Sequence, residues 1–295
     1  MNGVIVIDKP AGMTSHDVVN RVRRILQEKS VGHLGTLDPM ATGVLPLVAG
    51  RMTRLAQFYT TSNKSYEGEI RFGISTTTYD AEGDPIREIP LENLTLDRIL
   101  ESAAGFTGTI EQMPPPFSAK KVGGVPAYKL ARKNKEVELK AVQVDVKRFE
   151  IFDLMGDRAR FSCDVSSGTY VRSLAHDLGQ KLACGAHLSS LRRTRSGEFC
   201  MEDAVTLEAL AAAMQNDTAP QLFFHPRRLL PNFPSVTADD ETVSKIRHGR
   251  AVNLPELSRA KLVKVFEGQA NLIAIASRVA GTLFHPKVVL MEVAQ

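Results

Sequence analysis

The sequence predicts an α+β body followed by a small, strand-rich C-terminal unit. Strand-like and helix-like apolar periods interleave along the body, a long hairpin pattern lies in its middle, and a group of prolines separates it from a tail of short strands.

From Val4 to Ile7 an unbroken apolar run ends at Lys9-Pro10-Ala11-Gly12, a buried strand closed by a turn. Thr14 or Ser15 can cap a helix on which Val18, Val19, Val22, Ile25 and Leu26 make one apolar stripe, with Arg21, Arg23 and Arg24 on the other side. A glycine-punctuated loop runs from Gly32 to Gly43, then a short strand from Val44 to Ala49 and a helix near Met52 to Tyr59. Tyr66, Gly68, Ile70 and Phe72 alternate with Glu67, Glu69 and Arg71, the mark of a half-buried strand. Thr95 caps a helix reaching Ala104. The stretch from Gln112 to Gly124, rich in Pro, Gly and Lys, reads as a surface excursion with little room for a core. Strands from Val142 to Leu154 and from Ala159 to Val165 flank Gly156-Asp157 as a hairpin, and helices follow from Val171 to Leu182 and from Thr206 to Met214. Pro226, Pro231 and Pro234 mark a linker, which assigns residues 1–232 to the body and 233–295 to the tail. In the tail, a helix near Glu241 to His248 precedes strands at Leu262 to Phe266, Leu272 to Ala276 and Val288 to Val293, a small β-barrel-like unit.

With 295 residues, 43% hydrophobic and 24% charged, the chain can bury a sizeable core. No apolar run is long enough for a membrane helix, and the N-terminus has no basic segment or small-residue cleavage site, so the cytoplasm is expected. Cys163, Cys184 and Cys200 are far apart and the histidines scattered, which argues against a disulfide framework and a zinc site. A net charge of +4 is too mild to prove a polyanion partner. Its distribution is uneven: nine Lys/Arg face four Asp/Glu from Ser118 to Glu150, whereas two face eight from Thr78 to Glu111. Solvated surfaces explain those numbers as well as nucleic acid does.

Three segments hold residues suited to chemistry. In Gly32-His33-Leu34-Gly35-Thr36-Leu37-Asp38-Pro39, the proline pushes Asp38 toward an extended or turn conformation, and the nearby glycines admit another molecule. Such a carboxylate can act as nucleophile, base or ligand, or merely cap a turn. Arg172, near the start of a helix in Gly168-Thr169-Tyr170-Val171-Arg172, could hold a carboxylate or phosphate in its planar fork. Tyr66, after Lys64-Ser65, is a core tyrosine or a platform for an unstacked base.

Taken together and in this order, these segments resemble the TruB family of tRNA pseudouridine synthases. Asp8-Lys9-Pro10 with Gly12 to Ser15, Gln112 to Lys121 with Tyr128, and Ala186-His187-Leu188 through Leu191-Arg192-Arg193 add to the resemblance, which covers roughly Val4 to Leu210. The tail resembles a PUA RNA-binding module. The resemblance implies a bent, largely antiparallel sheet with the site in its central cleft. It implies cofactor-free isomerisation of uridine 55 in the T loop of tRNA after base flipping, by a monomer without membrane or guide-RNA partner. Asp38 takes the place of the catalytic aspartate and Arg172 of the arginine paired with it, with Tyr170 alongside. Tyr66 matches the aromatic that stacks on the flipped uracil and could serve as a base, and Leu191 a pocket wall. His33 matches a histidine that fills the vacated space in the T loop, while its residue context alone suggests a turn cap. Gly35, Thr36 and Lys64 are expected beside the substrate. Lys120 and Lys121, in a thumb-like insertion over residues 112–140, are expected on phosphates with Arg192 and Arg193. Phe117 departs from the family's usual tyrosine but keeps the ring. Whether the carboxylate attacks C1′ or C6, or assists proton removal at C2′, stays open.

Overall fold

The computed structural model describes residues 1–118, 121–122, 125–126 and 139–291. The first strand, β1 (Gly3–Lys9), leads into α1 (Ser15–Leu26), where Thr14 and Asp17 form a reciprocal capping box and Val18, Val19, Val22 and Leu26 are buried. Short β2 (Val31–His33) pairs with β3 (Thr42–Ala49), and a 3₁₀ helix, Gly50–Phe58, carries the chain to β4 (Lys64–Phe72). A small hairpin of β5 (Ile74–Thr76) and β6 (Pro85–Glu88) precedes α2 (Leu96–Ala104), capped by Thr95 as expected, and β7 (Gly108–Gln112). Beyond it lie a two-stranded pair, β8 (Lys121–Val122) with β9 (Val125–Pro126), and the long hairpin of β10 (Val142–Met155) and β11 (Arg158–Val165). Next come α3 (Val171–Lys181), β12 (Ala186–Ser196), β13 (Phe199–Cys200), β14 (Ala204–Val205) and α4 (Leu207–Gln215).

Among the described residues, ten strands make one sheet in the order β14-β1-β3-β12-β4-β11-β10-β7, with β2 on β3 and β13 on β12. Its pairs are antiparallel except β1 with β14 and β3 with β12. The sheet is therefore the mixed, largely antiparallel one expected. Strand β12 is an addition: 186–196 contains too many polar residues to read as a buried strand. Its register against β4 shifts between Leu188 and Ser190 and again between Arg193 and Arg195. Gly68 and Gly43 permit this crowding, since a Cβ at Gly68 would meet the Ser190 carbonyl oxygen at 2.4 Å and one at Gly43 the Arg193 oxygen at 2.2 Å.

Alternation along β1 splits the core between two faces. Ile5 and Ile7 join α1, α3 and α4 in one apolar cluster, whereas Val4 and Val6 join Val44, Val48 and Phe199 on the other side. That second cluster continues into the tail through Phe266, Leu272, Ile275 and Val288.

The tail has β15 (Ser235–Ala238), α5 (Asp240–Arg247), β16 (Val252–Asn253), β17 (Leu262–Glu267), β18 (Asn271–Ala280) and β19 (Leu283–Val289). They form a five-stranded sheet in the order β15-β17-β18-β19-β16, which fits the barrel-like unit expected. Three local expectations need correction. The last strand does not begin at Val288 but spans Leu283–Val289; Pro286 is tolerated because it faces Ala276 at a register shift, where the ladder is already interrupted. The proline-rich linker is packed: Leu229 and Leu230 are buried, and the ammonium of Lys264, itself buried, donates to the carbonyls of Arg227 and Leu229. The start of the supposed surface excursion is also buried, at Gln112, Pro114, Pro115 and Ser118. Much of the thumb-like insertion lies outside the described residues.

Candidate active site

The loop between β2 and β3 carries Asp38, and its backbone is tied down on every side. Ser15 Oγ accepts from Leu37 N–H at 2.8 Å and donates back to the Leu37 carbonyl at 3.1 Å. Lys9, with no exposed surface, donates to the carbonyls of Pro10, Met13 and Pro39 at 2.8, 2.6 and 3.1 Å. Gly12 N–H donates to the same Pro39 oxygen. From the opposite side Arg193, also fully buried, donates to the carbonyls of Val44, Thr36 and Gly35 at 2.7, 3.3 and 3.1 Å. Each donated hydrogen bond from a charged group to a carbonyl of the loop narrows the positions Asp38 can take.

The carboxylate meets Arg172 from the first turn of α3. Nη2 donates to Oδ1 at 3.1 Å, and Nε lies 2.9 Å from Oδ2 although off the hydrogen-bond direction. The guanidinium is itself fixed: Nη1 donates to the Thr78 carbonyl and Nη2 to the Phe117 carbonyl, both at 3.0 Å, and Nη1 is 3.4 Å from Asp80 Oδ2. Arg172 therefore faces two carboxylates. Burial raises the pKa of Asp38; Arg172 opposes the rise and Asp80 adds to it. The arginine favours the ionised form that a nucleophile needs, and about a third of the Asp38 side chain stays open to the pocket where a substrate would meet it.

A pocket of about 240 Å³ opens above this pair. Gly35, Thr36, Asp38, Lys64, Tyr66, Tyr170, Arg172, Leu191 and Arg193 all line it. Tyr66 comes from β4 and Leu191 from the neighbouring β12, so ring and aliphatic wall stand on the rigid centre of the sheet. Burial raises the Tyr66 phenol and holds it neutral, which suits a stacking surface better than a base. Burial, with repulsion from Arg193, lowers Lys64 to about 8; burial likewise lowers Lys9 to about 8. Tyr170 is held by Gln112, whose side-chain amide accepts from its N–H at 2.8 Å and donates to its carbonyl at 3.0 Å.

Other predicted residues sit differently. His33 is not in the pocket wall; its Nδ1 accepts from Gly35 N–H at 3.3 Å, so in this state it caps the loop. Arg192 is half-exposed and pairs with Asp8 at 2.8 Å. The reading of Arg193 as a phosphate ligand is corrected: three backbone carbonyls occupy its donors, so it shapes the pocket from within. Lys120 lies outside the described residues, and Lys121 is described only as part of β8. Asp80 was missed, because within an acidic stretch it looks like solvated surface. The positioning roles of Lys9 and Gln112 carry no signal but their neighbourhood to the motifs. Among the described residues, no group of three or more His, Cys, Asp or Glu is arranged to hold a metal ion.

A family model for the N-terminal domain of TruB family pseudouridylate synthases matches residues 23–171, and one for the C-terminal domain of tRNA pseudouridylate synthase B matches residues 172–231. The chain belongs to the TruB family. A TruB protein of Solibacter usitatus (strain Ellin6076), called tRNA pseudouridine synthase B, is 51% identical over 98% of this chain and 100% of its own. One of the same name from Bacillus anthracis is 41% identical over 97% of this chain and 94% of its own. Among solved structures, a chain of an H/ACA ribonucleoprotein bound to a substrate RNA containing 2′-deoxyuridine aligns with a TM-score of 0.73 and 26% identity, covering 99% of this chain and 86% of its own. A chain of a Cbf5–Nop10–Gar1 complex gives 0.73 and 27%, covering 99% and 85%. The TruB chain described here is thus a pseudouridine synthase with the fold of these relatives. Its Asp38 pocket is the candidate site of an isomerisation.

Proposed function

We propose that this chain converts uridine 55 in the T loop of tRNA to pseudouridine, as a monomer in the cytoplasm and without cofactor or guide RNA. The observation that carries the reading is the Asp38 carboxylate forked by buried Arg172 on the floor of a pocket walled by Tyr66 and Leu191. Its relatives' name, tRNA pseudouridine synthase B, supplies the substrate class.

The product is an isomer, so no electrons or groups enter or leave. The N1–C1′ bond breaks, the uracil turns, C5 bonds to C1′, and the C5 proton passes to N1. Flipping the uridine out of its loop costs about a few kcal/mol. Stacking on Tyr66 and contact with Leu191 offset that cost, and His33 leaves its loop cap to fill the gap in the RNA. Asp38 assists glycosidic cleavage by attack on the nucleoside or by proton removal at C2′. The closed pocket then keeps the freed base beside the sugar and excludes water. A second cleft of about 920 Å³ shares Lys64 with the pocket and is lined by Lys147, Arg148, Arg195, Tyr59 and Phe233. The flanking RNA backbone follows this basic path, joined by Arg192 and the insertion's Lys120 and Lys121, and the tail extends the contact.

The test uses purified protein, one unmodified tRNA transcript and no added RNA, with pseudouridine mapped by position. Wild type yields product at the T-loop uridine; Asp38→Asn retains RNA binding and loses about 10⁴-fold or more in rate. Product from Asp38→Asn at the wild-type rate overturns the mechanism. Modification elsewhere, or only after a guide RNA is added, overturns the substrate assignment.

A further inference from the structure

Tyr79 lies between the two groups that Arg172 grips, the Thr78 carbonyl and the Asp80 carboxylate. Its backbone is in the left-handed region, φ +65°, a conformation that a bulky residue keeps only when its surroundings impose it. Its ring stacks on the imidazole of His176, with centroids 3.7 Å apart and planes 9° from parallel. His176 stands one helical turn after Arg172, on the same face of α3. One face of this helix therefore holds three successive residues, Arg172 binding 78 and 80 and His176 binding 79. The other side of the turn is pinned to β12: Leu188 N–H donates to the Tyr79 carbonyl and Ala81 N–H to the Leu188 carbonyl, each at 3.0 Å. Thr78 Oγ1 donates to Asp80 Oδ1 at 2.5 Å, and Thr76 Oγ1 to the Asp80 carbonyl at 2.7 Å. The imidazole Nδ1 is buried without a hydrogen-bond partner, so the face of the ring, not its nitrogen, makes the contact.

We propose that Tyr79 and His176 are positioning residues: their stack locks the turn 78–80 onto α3 and thereby sets where Arg172 holds Asp38. The inference rests on the function proposed above and adds to it two residues that touch neither the pocket nor the reacting atoms. Asp38 is faced by Arg172 from α3, Asp80 and Glu82 from the turn, Lys9 from β1, Tyr66 from β4 and Tyr170 ahead of α3. Of these, Arg172 and Asp80 lean directly on the stacked turn.

The test compares Tyr79→Gly, His176→Ala and the double variant with Tyr79→Phe and His176→Phe. Glycine removes the ring yet accepts the left-handed backbone, which separates stacking from strain. Two quantities are read: the single-turnover rate at saturating tRNA, and the Asp38 carboxyl titration by ¹³C NMR, assigned by its disappearance in Asp38→Asn. Loss of either ring lowers the rate about tenfold with RNA affinity unchanged, and moves the Asp38 titration upward as Arg172 loosens. The double variant is no worse than the worse single, and both Phe variants keep wild-type values. A wild-type rate and titration in Tyr79→Gly and His176→Ala overturn the proposal, as does a Tyr79→Phe variant as impaired as Tyr79→Gly. If wild type makes no pseudouridine, the proposed function fails while the titration still decides the stack.

Discussion

Around the Asp38 loop, Ser15 and His33 bond the backbone together with two buried cations, Lys9 and Arg193, which donate to carbonyl oxygens. At the junction with the tail, one apolar cluster runs from Val4, Val6, Val44 and Val48 to Phe266, Leu272, Ile275 and Val288. The loop buries Leu34, Leu37 and Ala41, but hydrogen bonds to its carbonyls fix direction as well as distance. The apolar junction supplies stability without specifying the position of any one atom closely. The two regions therefore predict different failures.

Between the two regions, the larger effect on rate is expected at Lys9. Replacing it by Met leaves the Met13 carbonyl without its ammonium donor and leaves Pro39, next to the nucleophile, held by Gly12 N–H alone. The saturating rate falls about 10²-fold, measured in single turnover, with RNA affinity unchanged. A rate within threefold of wild type shows that the cations do not place the loop. A pH profile sharpens the comparison. Because burial raises the Asp38 pKa, activity fades on the acid side at a pH above the ordinary aspartate range. By linkage, a folded state that binds this proton more tightly than the unfolded chain loses stability as pH rises through the same window. Asp38→Asn removes this group's share of that slope, which urea unfolding against pH detects as a flatter profile beside the part left by Asp177 and Glu82, whose carboxyls burial also raises. The smallest effect on chemistry is expected at the junction. Leu272→Ala lowers stability by about 3 kcal/mol, visible in the melting temperature, while the rate per folded molecule at 25 °C is unchanged. A slower rate there means that the tail governs the site.

Much of this was legible in the sequence, and the gaps have physical causes. Alternation identifies β4, proline and glycine frame the Asp38 loop, and Thr14 or Ser15, and Thr95, mark the starts of their helices. The meeting of Asp38 with Arg172 followed from a family likeness, since no local pattern joins residues so far apart in the chain. Strand β12 was hidden because its buried arginine imitates a surface residue. Asp80 was hidden for the same reason among acidic neighbours. Burial of a charge depends on which carbonyls fold over it, and that is set by tertiary packing.

The register slip beside Ser189 decides what the substrate meets. Leu188 faces Ile70, and if Ser189 took a regular place in the ladder instead of bulging, the partners across from Gly68 and Tyr66 would be Ser190 and Arg192 rather than Leu191 and Arg193. By bulging out, Ser189 keeps an aliphatic wall and an internal brace where a regular ladder would bring a hydroxyl and the half-exposed Arg192. Deleting Ser189 would straighten the strand at that point while leaving Leu191 opposite Gly68 and Arg193 opposite Tyr66.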